Sequence, residues 1–117
     1  MPRMNIAQQS VPANAFAVAN GQTNLLAGLS YEFLPNAAHL VAAINGAATG
    51  LQATLLVANG VTILDYQPVS TINRWPILPD DIDIEDDIPP GRMILRVRNT
   101  TAAAVIFNGA ILDVTFS

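Results

Sequence analysis

The sequence predicts an all-β protein, an antiparallel β-sandwich of about eight strands arranged as a jelly roll. Three observations predict it. Val, Ile, Thr, Phe and Tyr gather in short runs, the composition that suits a pleated, half-buried surface. Four Asn-Gly pairs, at 20–21, 45–46, 59–60 and 108–109, punctuate those runs. Asn-Gly favours the tight type I′ turn because both central residues need positive φ. Short strands alternating with turn signals over a whole chain are the pattern of a sandwich or barrel.

Residues 1–13, MPRMNIAQQSVPA, are polar with scattered apolar positions and read as an N-terminal arm. The single domain then spans 14–117, and 117 residues suffice for one modest core but not two. Strands are expected at 15–19 (AFAVA), 29–34 (LSYEFL), 38–44 (AHLVAAI) and 92–98 (RMILRVR). The alanine-rich 37–44 could equally be a short helix, because its periodicity does not decide. QATLLVA-NG-VTILDYQ predicts a hairpin of 52–58 with 61–67, and AAVIF-NG-AILDVTF another of 103–107 with 110–116. Residues 68–91 contain five prolines and form a connection longer than compact domains usually tolerate, which points to function. Trp75, the only tryptophan, sits in that connection beside Arg74, Pro76, Ile77 and Leu78. It reads either as a core residue capping one end of the sandwich or as an anchor in a protein contact, where Trp and Arg are enriched.

The composition bounds the partners. A net charge of −4 argues against direct nucleic-acid binding, which needs a broad basic surface. All five cations are arginine, the residue suited to fixed bidentate pairing at an interface. Eighteen of the apolar residues are alanine, so the core buries little area per residue and gains from surface covered by a neighbour. That favours a homo-oligomer. The absence of cysteine rules out disulfides and thiolate metal sites. The uncharged run 40–64 is broken by Gly46, Gly50 and Gly60 and cannot be a membrane helix. The chain is expected to be soluble, with no membrane partner and no secretory signal.

The most unusual stretch is DDIDIEDD, residues 80–87, which holds six of the nine acidic residues. At a period of two, Asp81, Asp83, Glu85 and Asp87 share one face and Ile82, Ile84 and Ile88 the other. Downstream, Arg92, Ile94, Arg96 and Arg98 share a face. A tight turn at Pro90-Gly91 would set Glu85 opposite Arg96 and Asp83 opposite Arg98; a one-residue slip would set isoleucines there instead. Three readings stay open: a solvated or arginine-paired face, a charge contact between subunits, or a calcium site at Asp81, Asp83 and Glu85. The EF-hand order is not met, because Asp86 and Arg92 stand where Gly and Glu are required.

Catalytic candidates are few. His39 is the only histidine, in an apolar stretch, and reads as a satisfied structural residue. GLSYE, 28–32, lacks the closing glycine of a nucleophile elbow. Adjacent carboxylates on one segment do not face each other across a cleft, as glycoside hydrolysis requires. Asn99-Thr100-Thr101 matches a glycosylation sequon. No enzyme activity and no cofactor is expected.

The alanine-rich β composition, the Asn-Gly turns, the arm and the proline-rich connector together resemble the small all-β virion proteins of bacteriophages, whether jelly-roll coat, minor capsid or decoration subunits. The resemblance implies a structural virion protein that packs against its own copies and other capsid proteins. The interface residues expected on the bottom-up reading are Arg74, Trp75, Ile77, Leu78, Asp81, Asp83, Glu85, Asp87, Arg92, Arg96 and Arg98. The alternative is a carbohydrate-binding β-sandwich module, with Tyr31, Tyr66 or Trp75 as a stacking face and calcium on the acidic run.

Overall fold

The computed structural model describes residues 3–19, 21–29, 31–76 and 81–116; Ile77 and Leu78, two of the expected interface residues, lie outside them. In chain order the strands are β1 (Arg3–Ile6), β2 (Gln9–Val11), β3 (Phe33–Leu34), β4 (Ala38–Gly46), β5 (Leu51–Val57), β6 (Val61–Pro68), β7 (Ile84–Ile88), β8 (Gly91–Arg92), β9 (Ile94–Asn99) and β10 (Val105–Phe116). All of these strands pair antiparallel. One sheet runs β1-β10-β4-β7, with β2 following β1 along the same side of β10; another runs β6-β5-β9; β3 and β8 form a short pair. The described residues contain no helix, so the helical alternative for 37–44 is excluded and that stretch belongs to β4. Accordingly, no helix among them is long and apolar enough to cross a membrane.

Alternation places the core. Leu40, Ala42 and Ile44 of β4 and Ala110, Leu112 and Val114 of β10 meet Leu51, Ala53, Leu55 and Val57 of β5 and Leu95 and Val97 of β9 in one buried cluster. Both larger sheets therefore share a single core, in a sandwich-like arrangement. Alanine occupies many of its inward positions, so each buries little area and the larger side chains, Phe107 above all, contribute most of the burial.

The hairpin expected at 52–58 and 61–67 forms as β5 and β6, with its turn one residue early. The Gly60 amide donates to the Val57 carbonyl at 2.9 Å, and Ala58 and Asn59 carry the positive φ values of 50° and 63°. The second hairpin does not form. Residues 105–116 make one strand, and Asn108-Gly109 is a bulge inside it, where the register against β4 shifts between Phe107 and Gly109. The physical reason is that β10 is paired on both sides, to β1 and β2 on one and to β4 on the other. Folding back on itself would forfeit one of those ladders.

Two other strands shrink. Residues 15–19 make only isolated bridges, yet Ala17 donates to the Val97 carbonyl at 2.7 Å and Asn99 donates to the Ala15 carbonyl at 2.8 Å. The segment thus covers the outer edge of β9. Of the described residues in 29–34 only Phe33 and Leu34 are strand, and 92–98 is interrupted at Met93. Within the N-terminal segment, Arg3–Ile6 and Gln9–Val11 lie along β10.

Candidate functional site

The acidic run is shared among several partners, and β7 decides which. Because β7 pairs with β4 (Val41↔Glu85, His39↔Asp87) and not with β9, neither the Glu85–Arg96 nor the Asp83–Arg98 pairing exists. Pro89 and Pro90 cannot donate to a ladder, and the chain leaves the sheet there to pair β8 with β3.

Asp81, which is buried, accepts from Arg74 Nη2 at 2.8 Å and Nε at 3.3 Å. This pair ties the residue beside Trp75 to the start of the acidic run. The Asp83 amide donates to the Ala42 carbonyl at 2.9 Å, and its carboxylate accepts from the Ile44 amide at 2.7 Å. A side chain thus continues the β4 ladder where β7 has ended. Burial pushes the Asp83 carboxyl above the usual carboxylate range; the Ile44 amide opposes that shift and the nearby Asp81 charge adds to it. Glu85 and Asp87 flank His39: Nε2 lies 2.9 Å from Glu85 Oε2 and Nδ1 2.8 Å from Asp87 Oδ1. His39 is therefore a partly exposed residue between carboxylates rather than part of the apolar packing. Among the described residues no three of His, Asp or Glu converge on a point where a metal could sit. The calcium candidates Asp81, Asp83 and Glu85 each face a different partner.

The arginines are spread as widely. Arg3 pairs with Asp113 across β1 and β10 through two bonds, at 2.6 and 3.0 Å. Arg92 reaches Glu32 at 3.0 Å and lies over the Phe33 ring. Arg98 donates to Gln52 and stacks 4.1 Å from the centre of the Tyr66 ring. Arg96 stands on β9 opposite Thr54. Trp75 is 43% exposed and so is no core residue. Its ring lies over Gly109, where any Cβ would overlap it. Tyr31 packs against Phe116.

Sequence reasoning missed a buried polar node. Asn24 Oδ1 accepts from the Leu26 and Leu95 amides, both at 3.1 Å, while Glu32 accepts from Arg92 and from the Gly28 amide. Together they fasten Asn24 to β9 and Glu32 to β8. The Asn99 sequon is likewise structural. Asn99 is buried, donates to the Val11 and Ala103 carbonyls and accepts from the Thr101 amide, so its amide nitrogen is inaccessible to a glycosyl transferase.

The sheet edges carry the devices that discourage strand addition. On β7 these are the exposed Glu85, Asp86 and Asp87 followed by two prolines. β1 and β2 are short, and β9 is covered by 15–17. On β6 the register against β5 shifts twice, and Tyr66 has a φ of 50°. β6 differs from the other long strands in one respect: none of its eight residues is buried. Val61 is 53% exposed and Tyr66 38%, and Ile63 and Leu64 are covered only in part.

No family model, curated protein or solved structure matches the chain.

Proposed function

We propose that this chain is a self-assembling structural subunit of the jelly-roll virion type, a coat, minor capsid or capsid-decoration protein working through protein–protein contacts. The observation that carries the reading is the strand order. β1 and β2 both follow β10, and only Met93 separates β8 from β9. Taking each of these as one strand leaves eight, in the orders 1-8-3-6 and 2-7-4-5. The first and last strands are neighbours, and only the connection from the fourth to the fifth stays within a sheet. This order supports the jelly-roll reading, an architecture that recurs in viral shells.

Fold alone does not fix function, and the surface adds the second support. An eight-residue strand with no fully buried residue, on a chain with an alanine-rich core, gains from cover by a second copy. Because β6 is bulged, that contact runs through its side chains rather than through backbone pairing. The carbohydrate-binding reading has less behind it. The Tyr66 ring is already stacked by Arg98, and Asp81 and Asp83 are engaged by Arg74 and the Ile44 amide.

Electron microscopy of the purified protein, with and without calcium, tests the proposal. Regular closed or extended particles independent of calcium are expected. Dispersed single subunits at every concentration, or a stability gain that needs millimolar calcium, would overturn it.

A further inference from the structure

We propose that β7 is a proton-controlled edge strand, clamped to β4 by a protonated His39 between Glu85 and Asp87 and loosened when that proton leaves. An ionised carboxylate only accepts, and a neutral imidazole has one N–H. Both ring nitrogens of His39 lie within 2.9 Å of a carboxylate oxygen, so both bonds exist together only in the imidazolium. Deprotonation breaks one and turns a nitrogen lone pair towards an anion.

Among the described residues, nothing else nearby can take over. Across β4 on the other side, β10 offers His39 the uncharged Thr115. Asp113, two residues along β10, is held by Arg3 of β1. Asp86 lies between the two clamping acids, opposite Leu40, and binds the Asp87 amide. Without the imidazolium, three successive carboxylates stand on an edge strand with no cation described beside them. The two flanking acids accordingly hold the His39 pKa above its ordinary value. The clamp is therefore complete below about pH 6.5 and is lost as pH rises through the raised value.

The rest of the strand sets the scale of the opening. β7 keeps its ladder to β4 over 84–88 and buries Ile84 and Ile88. It is preceded by residues 81–83, which lie outside any strand, and followed by Pro89-Pro90. The opening is local, and it uncovers the β4 backbone.

Amide hydrogen exchange of the full chain, corrected for intrinsic rate, tests this at about pH 5.5 and about pH 9, with the His39 ring followed by NMR. Protection of 84–88 should fall roughly fivefold or more across that range while β5 and β9 stay constant. His39→Gln, which offers a single amide donor group, should show low β7 protection at both pH values. Glu85→Gln with Asp87→Asn, both at exposed positions, should abolish the pH dependence and return the ring to an ordinary titration. Wild-type protection that does not change with pH, or a ring titrating at or below the ordinary value, would overturn the clamp. So would a pH response retained in the double variant.

Discussion

Gly109→Ala should be among the most destabilising single changes in this protein. Gly109 has a φ of +124°, which costs an L-residue about 1–3 kcal/mol. The added Cβ would overlap the Trp75 ring and stand 2.7 Å from the Ile6 carbonyl oxygen. Overpacking of that kind adds about 1–3 kcal/mol. The sum centres on about 4 kcal/mol, a displacement of the urea midpoint by about 2 M for a domain of this size. Trp75→Ala alone should cost about 2 kcal/mol, since a little over half of a large ring is buried. In the Trp75→Ala background the Gly109→Ala penalty should shrink by about 1 kcal/mol, because the ring clash has gone while the backbone strain remains. Equilibrium urea unfolding followed by far-UV circular dichroism gives all four corners of the cycle. Additive costs would refute the bulge beneath Trp75 and favour a hairpin turn at Asn108-Gly109. A Gly109→Ala shift below about 0.5 M would refute the strained backbone as well.

Three further outcomes follow from particular contacts. Asn99→Ala removes the donor to the Val11 and Ala103 carbonyls and the acceptor of the Thr101 amide and should cost about 2–4 kcal/mol by urea unfolding. Asp83→Asn keeps an oxygen for the Ile44 amide but removes a partly desolvated charge. Since the wild-type carboxyl is raised, its contribution is full below the ordinary carboxylate range and fades as pH climbs through the raised value. The variant should therefore gain stability relative to wild type between about pH 4 and pH 7, as thermal melts across that range would show. Asn24→Ala leaves the Leu26 and Leu95 amides without their acceptor and should cost about 2–3 kcal/mol, with exchange of the 24–34 loop rising first.

The arms of the β5–β6 hairpin were legible because Val, Ile, Thr and Leu flank a turn signal, although the turn itself closes on Ala58-Asn59. The inward set of 84–88 was legible too, since Ile84 and Ile88 recur on one face of an alternating run. What that run pairs with was not, because the partner of an edge strand is set by chain winding and not by local pattern. Asn108-Gly109 carries the same dipeptide as a turn, yet strands on both sides of β10 turn it into a bulge. The role of His39 had a usable signal. Alternation sets it on the opposite face from Ala38 and Leu40, both buried, although its partners lie 46 and 48 positions away. Asn24 and Glu32 left no trace in the sequence, because a loop that docks through two polar side chains has no period.

Sedimentation velocity across a hundredfold range of concentration, comparing wild type with Val61→Glu, tests most directly whether the open face of β6 is an assembly surface. Wild type should form discrete species larger than the 12.4 kDa protomer. Val61→Glu, at a position already half exposed, should keep the β-sheet spectrum and weaken association by about tenfold or more. A wild-type protein that sediments as a single 12.4 kDa particle throughout, or a variant that assembles as well as wild type, would contradict the account.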